Sequence, residues 1–222
     1  GRALALPPGP ARHVQVRRLQ PGDALVLFDG RGGEWTARVV AMGRQSVQVE
    51  PGEHHAVDRE LALPVTLAVG MPANERMDWL VEKATELGVA ALQPLVCERS
   101  VLRLDGDRAE RKREHWQAQA VAAAEQCGRT RVPQVHPVRR LADWLTGGLP
   151  AATRWMLSPL ADVRPHRPAG SAPVLVLSGP EGGLSPAEEA AARAAGFAGL
   201  NLGPRVLRAE TAPLAVLAWL GL

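Results

Sequence analysis

The sequence predicts an α/β protein in which a smaller all-β segment precedes a larger domain. Up to about residue 63, short segments alternate apolar and polar residues and are broken by turn residues, as in hairpin strands. From Pro64 onward, apolar strand-like runs alternate with helical patterns, which indicates a mostly parallel sheet flanked by helices. In the last fifth of the chain, two glycine-rich turns each follow an apolar run. We therefore predict two domains, residues 1–63 and 64–222.

The first domain contains three predicted strands, at residues 24–28, 34–40 and 46–50. An Asp29-Gly30 turn separates the first two strands, and this dipeptide favours a hairpin. Pro51 and Gly52 are expected to end the third strand. The pattern predicts a small β-barrel or sandwich.

The second domain contains predicted strands at residues 65–69, 89–96, 132–135, 154–157 and 174–177. Helices are predicted from Met77 to Leu87, at 107–127, at 141–145, behind Ser185 and at the C-terminus. Gly88 and Gly128 stand where helix C-caps are expected, and Pro213 fits the first turn of the last helix. The proline-rich residues 158–171 are predicted to form a loop, either a linker or a lid.

The composition predicts a globular protein with a sizeable core, because 46% of the 222 residues are hydrophobic and 22% are charged. A net charge of +3 and a pI near 9.5 favour anionic partners, but only weakly. Arginine supplies nearly all the basic charge, and isoleucine and tyrosine are absent, which indicates a genomic bias. The basic composition is therefore poor evidence of RNA binding.

No metal site, disulfide or membrane helix is predicted. Cys97 and Cys127 have no CxxC partner, the six histidines lack zinc-like spacing, and the N-terminus is not signal-like. No apolar run approaches the roughly 20 residues that a membrane helix needs. We expect a cytoplasmic protein. Gly1 is not an initiator methionine, which leaves open whether residues precede it.

The first glycine-rich turn, residues 179–183, has three glycines and one carboxylate, Glu181. Alone, it indicates only a tight connection between a strand and a helix, and it lacks the ending of a Walker A loop. A second turn, at residues 202–212, also follows an apolar run. Because ligands sit at strand ends in α/β sheets, a ligand pocket shared by the two turns becomes a better interpretation than two unrelated tight connections. Such a pocket offers backbone N–H and C=O groups and apolar walls.

Together with Glu82-Lys83-Ala84-Thr85-Glu86-Leu87-Gly88-Val89, these turns resemble the RsmE family of the SPOUT superfamily. Members of this family methylate N3 of a uridine in 16S ribosomal RNA with S-adenosylmethionine (SAM). The resemblance implies a PUA-like β-barrel over residues 1–63 that helps to dock RNA, and an α/β methyltransferase domain over residues 64–222 with a C-terminal trefoil knot. It also implies a homodimer with the active site at the subunit interface, and a ribosomal substrate.

The same resemblance assigns residues to the cofactor pocket, most of them acting through backbone atoms: Leu177, Gly179, Glu181, Gly182, Gly183, Leu202, Gly203, Leu207 and Ala212. It implies RNA contact, cofactor support or dimer contact for a second group: Lys83, Glu86, Arg99, Ser100, Glu125, Gln126 and Arg129. For Lys83 and Glu86, an ordinary surface ion pair is the simpler alternative.

The reaction itself points to Arg205, Arg208 and Glu210 as catalytic candidates. N3 of uracil carries a proton between two carbonyls, so arginines near O2 or O4 would stabilise the developing anion, and a carboxylate could take the proton. Which residue has which role stays open. As structure alone, Glu210 or Thr211 could instead cap the last helix, with the arginines solvated at its entrance.

Two further functions are compatible with the sequence. One is a SPOUT methyltransferase for tRNA or for another rRNA position. The other is a non-catalytic RNA-binding or ribosome-assembly factor, which two intact glycine turns facing one pocket disfavour. Whether the substrate is free rRNA or an assembled small subunit stays open.

Overall fold

The computed structural model describes residues 2–73, 75–161, 166, 168 and 170–221. Its chain divides into two compact units, one ending at Arg59 and the other beginning at Glu60. This division falls shortly before the predicted domain boundary at residue 63. Part of the predicted loop at 158–171 lies outside the described residues.

The first unit is a four-stranded antiparallel sheet with one helix. Its strands are β1 (Leu4–Ala5), β2 (Ala24–Leu27), β3 (Glu34–Met42) and β4 (Val47–His55), in the order β1-β4-β3-β2, and its helix is α1 (Pro8–Val16). The predicted hairpin is confirmed, since β2 pairs antiparallel with β3. Ala11 and Val14 of α1 pack against three buried valines of β3 and β4, which form the core of this unit.

The expected end of the third strand at Pro51 is wrong, because β4 continues to His55. Pro51 lies opposite Ala37, beside a shift in the strand pairing between Trp35 and Ala37. An irregularity of this kind tolerates a proline, which has no N–H to contribute to the ladder. The pairing of β3 with β4 therefore continues past Pro51.

The second unit is a parallel sheet with helices on both faces, as predicted. Its strands are β5 (Val65–Gly70), β6 (Ala91–Val96), β7 (Gln134–Val135), β8 (Arg139–Arg140), β9 (Thr153–Leu157), β10 (Val174–Ser178) and β11 (Ala198–Leu200). Its helices are α2 (Glu75–Glu86), α3 (Gly106–Cys127), α4 (Leu141–Thr146), α5 (Pro186–Ala194) and α6 (Thr211–Gly221). The strand order is β11-β9-β10-β5-β6-β7, and β8 also pairs with β6.

Strand β10 lies inside this sheet and is buried at every residue. Val174 and Val176 belong to one core cluster with α2 and α6, whereas Leu175 and Leu177 belong to a second cluster with α4 and α5. Successive side chains point to opposite faces of a strand, so a strand buried on both faces is a continuous apolar run. The two clusters fix the sheet from both sides and hold its carboxyl end in place.

Candidate active site

A cavity of about 640 Å³ opens at the carboxyl ends of β9, β10 and β11, in the second unit. Its volume lies within the range of small-molecule sites, about 300–1,000 Å³. Its lining comes from the segments that follow these strands, and it includes Ser158, Leu160, Gly179, Glu181, Gly182, Gly183, Leu202, Gly203, Arg205, Val206, Leu207, Arg208 and Ala212, with Arg76 from α2. The structure therefore brings the two predicted glycine turns together in one cavity.

The first turn needs glycine because it folds back on itself. A Cβ on Gly179 would lie 2.8 Å from the amide nitrogen of Leu184 and 3.0 Å from the carbonyl carbon of Gly183. Gly183 has a φ of 69°, and its N–H donates to the carbonyl of Pro180 at 2.8 Å. A side chain is sterically blocked at the first position and strained at the second. The result is bare backbone facing the cavity.

Glu181 anchors this turn to the segment after β5. Its Oε1 accepts from the backbone N–H of Ala73 at 2.9 Å and from Nη1 of Arg76 at 3.1 Å. Arg76 lies in the first turn of α2, lines the cavity, and was not predicted as a site residue. No motif in the sequence marks it, because its pairing with Glu181 spans 105 positions along the chain.

Arg99 contacts the first turn, and Ser100 fixes the segment that carries Arg99. Nη1 of Arg99 donates to the carbonyl of Gly182 at 3.1 Å, and the ideal Cβ position at Gly182 lies 3.0 Å from the Cβ of Arg99. Ser100 is buried, and its hydroxyl accepts from the N–H of Cys97 at 2.9 Å. The Arg99 contacts hold the turn at Gly182.

The second turn is held against the segment that follows β9. Gly203, with a φ of 115°, donates its N–H to Oδ1 of Asn201 at 2.8 Å. The amide Nδ2 of Asn201 donates to the carbonyls of Pro159, at 3.1 Å, and Ala161, at 2.9 Å. One asparagine side chain thus joins two of the segments that line the cavity.

The three predicted catalytic residues differ in exposure. Arg205 and Arg208 are exposed and line the cavity, and neither forms an ion pair with a described carboxylate. Glu210, in contrast, is buried and does not line the cavity, and its Oε2 has no hydrogen-bond partner within the described part of the chain. The N–H groups of Thr211 and Ala212 donate to the carbonyl of Arg208, and these two hydrogen bonds mark the start of α6 at Thr211. A buried acceptor without a donor is unusual, because burial removes its hydrogen bonds to water and none replaces them.

Other predicted residues lie away from the cavity. Leu177 is completely buried in the core cluster of α4 and α5. Arg129 is buried, where its guanidinium donates to Glu60 and to the carbonyl of Thr85. Lys83 lies 2.7 Å from both Glu82 and Glu86, and these hydrogen bonds raise the pKa of its ammonium. Glu125 and Gln126 are exposed on α3.

Cys97 does not have the chemistry of a nucleophile. Burial, followed by the nearby charge of Glu188, raises the pKa of its thiol to about 12. The reactive thiolate is therefore scarce at neutral pH. Among the described residues, no group of three His, Cys, Asp or Glu side chains could hold a metal ion, and no helix is long and apolar enough to cross a membrane.

Family models assign both units. Residues 59–221 match an RNA methyltransferase domain, and residues 11–52 match an RNA methyltransferase PUA domain. With a cavity at the carboxyl end of its parallel sheet, the chain is in the class of RNA methyltransferases that carry a PUA domain.

Comparisons with individual proteins narrow the class. Ribosomal RNA small subunit methyltransferase E of Bacillus subtilis is 33% identical over 92% of this chain and 84% of the relative. The crystal structure of the enzyme of that name from Neisseria gonorrhoeae, bound to SAM, is 37% identical, with a TM-score of 0.91 over 99% of this chain and 91% of that chain. A methyltransferase from Legionella pneumophila in complex with SAM has a TM-score of 0.93 at 33% identity, over 99% of this chain and 91% of that chain. This chain belongs to the ribosomal RNA small subunit methyltransferase E (RsmE) family.

Proposed function

We propose that this chain transfers a methyl group from SAM to N3 of one uridine in the 16S rRNA of the small ribosomal subunit, in the cytoplasm. The observation that carries the proposal is the cavity formed jointly by the two glycine turns, with Arg205 and Arg208 on its rim. Family membership and two similar structures that contain SAM support the same cofactor.

The lining of the cavity fits SAM. Eight of the residues assigned to the cofactor line it: Gly179, Glu181, Gly182, Gly183, Leu202, Gly203, Leu207 and Ala212. The backbone of the two turns would hold the polar groups of the cofactor, and Leu202 and Leu207 would cover its apolar surface. Leu177 would act indirectly, by fixing the end of β10. When bound, SAM supplies a methyl group activated on a sulfonium ion.

Arg205 and Arg208 would hold the uracil ring and stabilise negative charge on O2 or O4. Both guanidiniums are solvent-accessible and free of described carboxylates, so each can donate to a carbonyl oxygen that gains charge as N3 loses its proton. Glu210 would receive that proton only after the 202–212 segment rearranges on RNA binding, because its Oε2, although no described donor occupies it, is buried and does not line the cavity. The target uridine must be unpaired or flipped out for its N3 edge to reach the cavity.

The active enzyme would be a homodimer. Leu160 and Val206 line the cavity, yet each is 86% exposed in the single chain. Large apolar side chains at this exposure are suited to cover by another protein surface. A second copy packed over the cavity would bury them and bring the active site to the subunit interface.

The proposal includes two features of the fold. Residues 1–63 would form a PUA-like barrel that docks RNA, and residues 64–222 would form the methyltransferase domain. The segment before α6 would pass through the preceding loop in a trefoil knot. The hydrogen bonds from Asn201 to Pro159 and Ala161, which join these two segments, support this arrangement.

Transfer of tritiated methyl groups from SAM to three RNA substrates tests the proposal. We expect label in small subunits or 16S rRNA from cells that lack the modification, and none in tRNA. Label in tRNA alone would identify a methyltransferase with a different substrate. Absence of label together with absence of SAM binding would indicate a non-catalytic RNA-binding protein.

A further inference from the structure

The solvent face of α1 in the first unit is basic and carries no carboxylate. Residues 2–22 contain four arginines and no aspartate or glutamate. Arg12, His13, Val16 and Arg17 are all exposed, whereas Ala11 and Val14 on the other side of the helix are buried. Positions three and four residues apart lie on the same helix face, so these four side chains form one surface.

Arg18 follows this helix in a conformation that disfavours an arginine. Its φ is 58°, and it is the one non-glycine residue with a positive φ in the described part of the chain. Its N–H donates to the carbonyl of Gln15 at 2.9 Å, and that of Leu19 donates to Val14 at 3.3 Å. This is a Schellman motif with arginine at the position that usually holds glycine.

Packing imposes the conformation. Leu19 is partly buried against the core cluster that contains Val14, so the chain must turn sharply between the helix and Leu19. The left-handed region strains any side chain that has a Cβ. A glycine would make the same turn without strain, and the guanidinium of Arg18 forms no ion pair or hydrogen bond with a described residue to compensate. Strained positions of this kind cluster at functional sites.

We propose that Arg12, Arg17 and Arg18 form an RNA-docking surface, called here the α1 face, that binds phosphates of the rRNA backbone. The partner follows from charge, because three exposed guanidiniums without described carboxylate partners complement a polyanion, and guanidinium geometry suits phosphate. The nearest carboxylate along the chain, that of Asp23, accepts from the N–H of Gln20 at 2.8 Å. The inference rests on the proposed function, since it assigns where the same RNA substrate is held.

The test compares RNA affinity with stability in Arg18→Gly. The probe is full-length unmethylated 16S rRNA with a fluorescent end label, titrated with the whole chain at about 0.1 M salt. Loss of one phosphate contact is expected to raise Kd about eightfold there and to reduce the salt slope by about 0.9. The same variant is expected to unfold at a higher temperature than the unaltered chain, because it relieves the strain.

A second variant and a control complete the test. Arg12→Gln/Arg17→Gln is expected to raise Kd about 60-fold, by loss of two independent contacts. The control, Arg111→Gln, removes an exposed arginine from α3 in the other unit and is expected to leave Kd unchanged. An equal loss of affinity in the control would overturn the proposal, because the effect would then come from net charge alone.

Other outcomes separate this proposal from the proposed function. Suppose that Arg18→Gly and the double variant bind rRNA as tightly as the unaltered chain, and that the unaltered chain methylates the rRNA. The α1 face is then not the RNA-docking surface, whereas the assignment as a methyltransferase stands. If the unaltered chain neither binds nor methylates rRNA, both proposals fail. Lower stability in Arg18→Gly would contradict the strain on which the α1 face depends.

Discussion

Replacing Gly179 with alanine should damage the cofactor site more than the fold. The new Cβ would lie 2.8 Å from the Leu184 nitrogen and 3.0 Å from the Gly183 carbonyl carbon, whereas ordinary contact begins near 3.4 Å. The 179–183 turn must therefore open by about 0.6 Å (3.4 minus 2.8) at its closest point. Both obstructing atoms belong to the backbone, so no side chain can rotate to relieve the clash.

The expected size of the effect follows from that displacement. Overpacking of this kind lowers the free energy of unfolding by about 1–3 kcal/mol. In a unit of this size, each kcal/mol lowers Tm by about 2–4 °C, so Tm should fall by roughly 5 °C. Displacement of backbone groups that hold the ligand should raise the Kd for SAM about tenfold, because the loss of one hydrogen bond worth about 1.4 kcal/mol changes Kd by that factor.

Isothermal titration with SAM and thermal unfolding by circular dichroism measure the two effects. The matched control is Gly9→Ala in α1, where a Cβ meets nothing within 4 Å, and it should leave SAM binding unchanged. If Gly179→Ala keeps a native spectrum and binds SAM within about twofold of the unaltered chain, the 179–183 turn is not part of the cofactor site.

Three other substitutions and one dilution experiment extend the test. Arg208→Ala should lower kcat by about a hundredfold or more while SAM affinity measured by titration stays close to normal, because an oxyanion-type donor acts in the transition state. Arg129→Met removes the buried guanidinium that donates to Glu60 and to the carbonyl of Thr85, so it should destabilise the fold by about 3 kcal/mol and lower Tm by roughly 6–12 °C in calorimetry. Ser185→Ala removes the capping box with Glu188 and should cost about 1 kcal/mol in denaturant unfolding. Dilution followed by sedimentation should show activity lost with the dimer, and a fully active monomer would contradict the interface proposal.

Elements with a strong local pattern could be predicted from the sequence. Helix α3 begins at Gly106, one residue before the predicted start, and its left-handed Gly128 cap is confirmed. Residues 174–177 of strand β10 are the apolar run that was predicted, because burial on both faces of the sheet favours apolar side chains at successive positions. In both elements, the local preference and the tertiary packing agree.

Elements that depend on tertiary packing could not be predicted. Helix α1 contains one glycine and two prolines, which are poor helix formers, and its burial of Ala11 and Val14 compensates. Strands β8 and β11 have two and three residues and are too short for a periodic signal. They exist because neighbouring strands pair with them.

The candidate site divides in the same way. The glycine turns are visible because their geometry excludes side chains, which leaves a mark in the sequence itself. Arg76 is not visible, because its role depends on the fold bringing α2 to Glu181. Arg129 matched a family motif, yet its guanidinium lies in the interior beside Glu60, and the sequence alone gives no sign of that burial.

The central claim is that this chain methylates N3 of one uridine in 16S rRNA, and nucleoside mass spectrometry tests it most directly. Unmethylated small subunits would be incubated with the chain and with SAM that carries a trideuterated methyl group, then digested to nucleosides and, separately, to mapped oligonucleotides. We expect trideuterated 3-methyluridine at a single position, and much less with Arg208→Ala. A methyl group on another atom, on several uridines or on none, in the presence of bound SAM, would contradict the account.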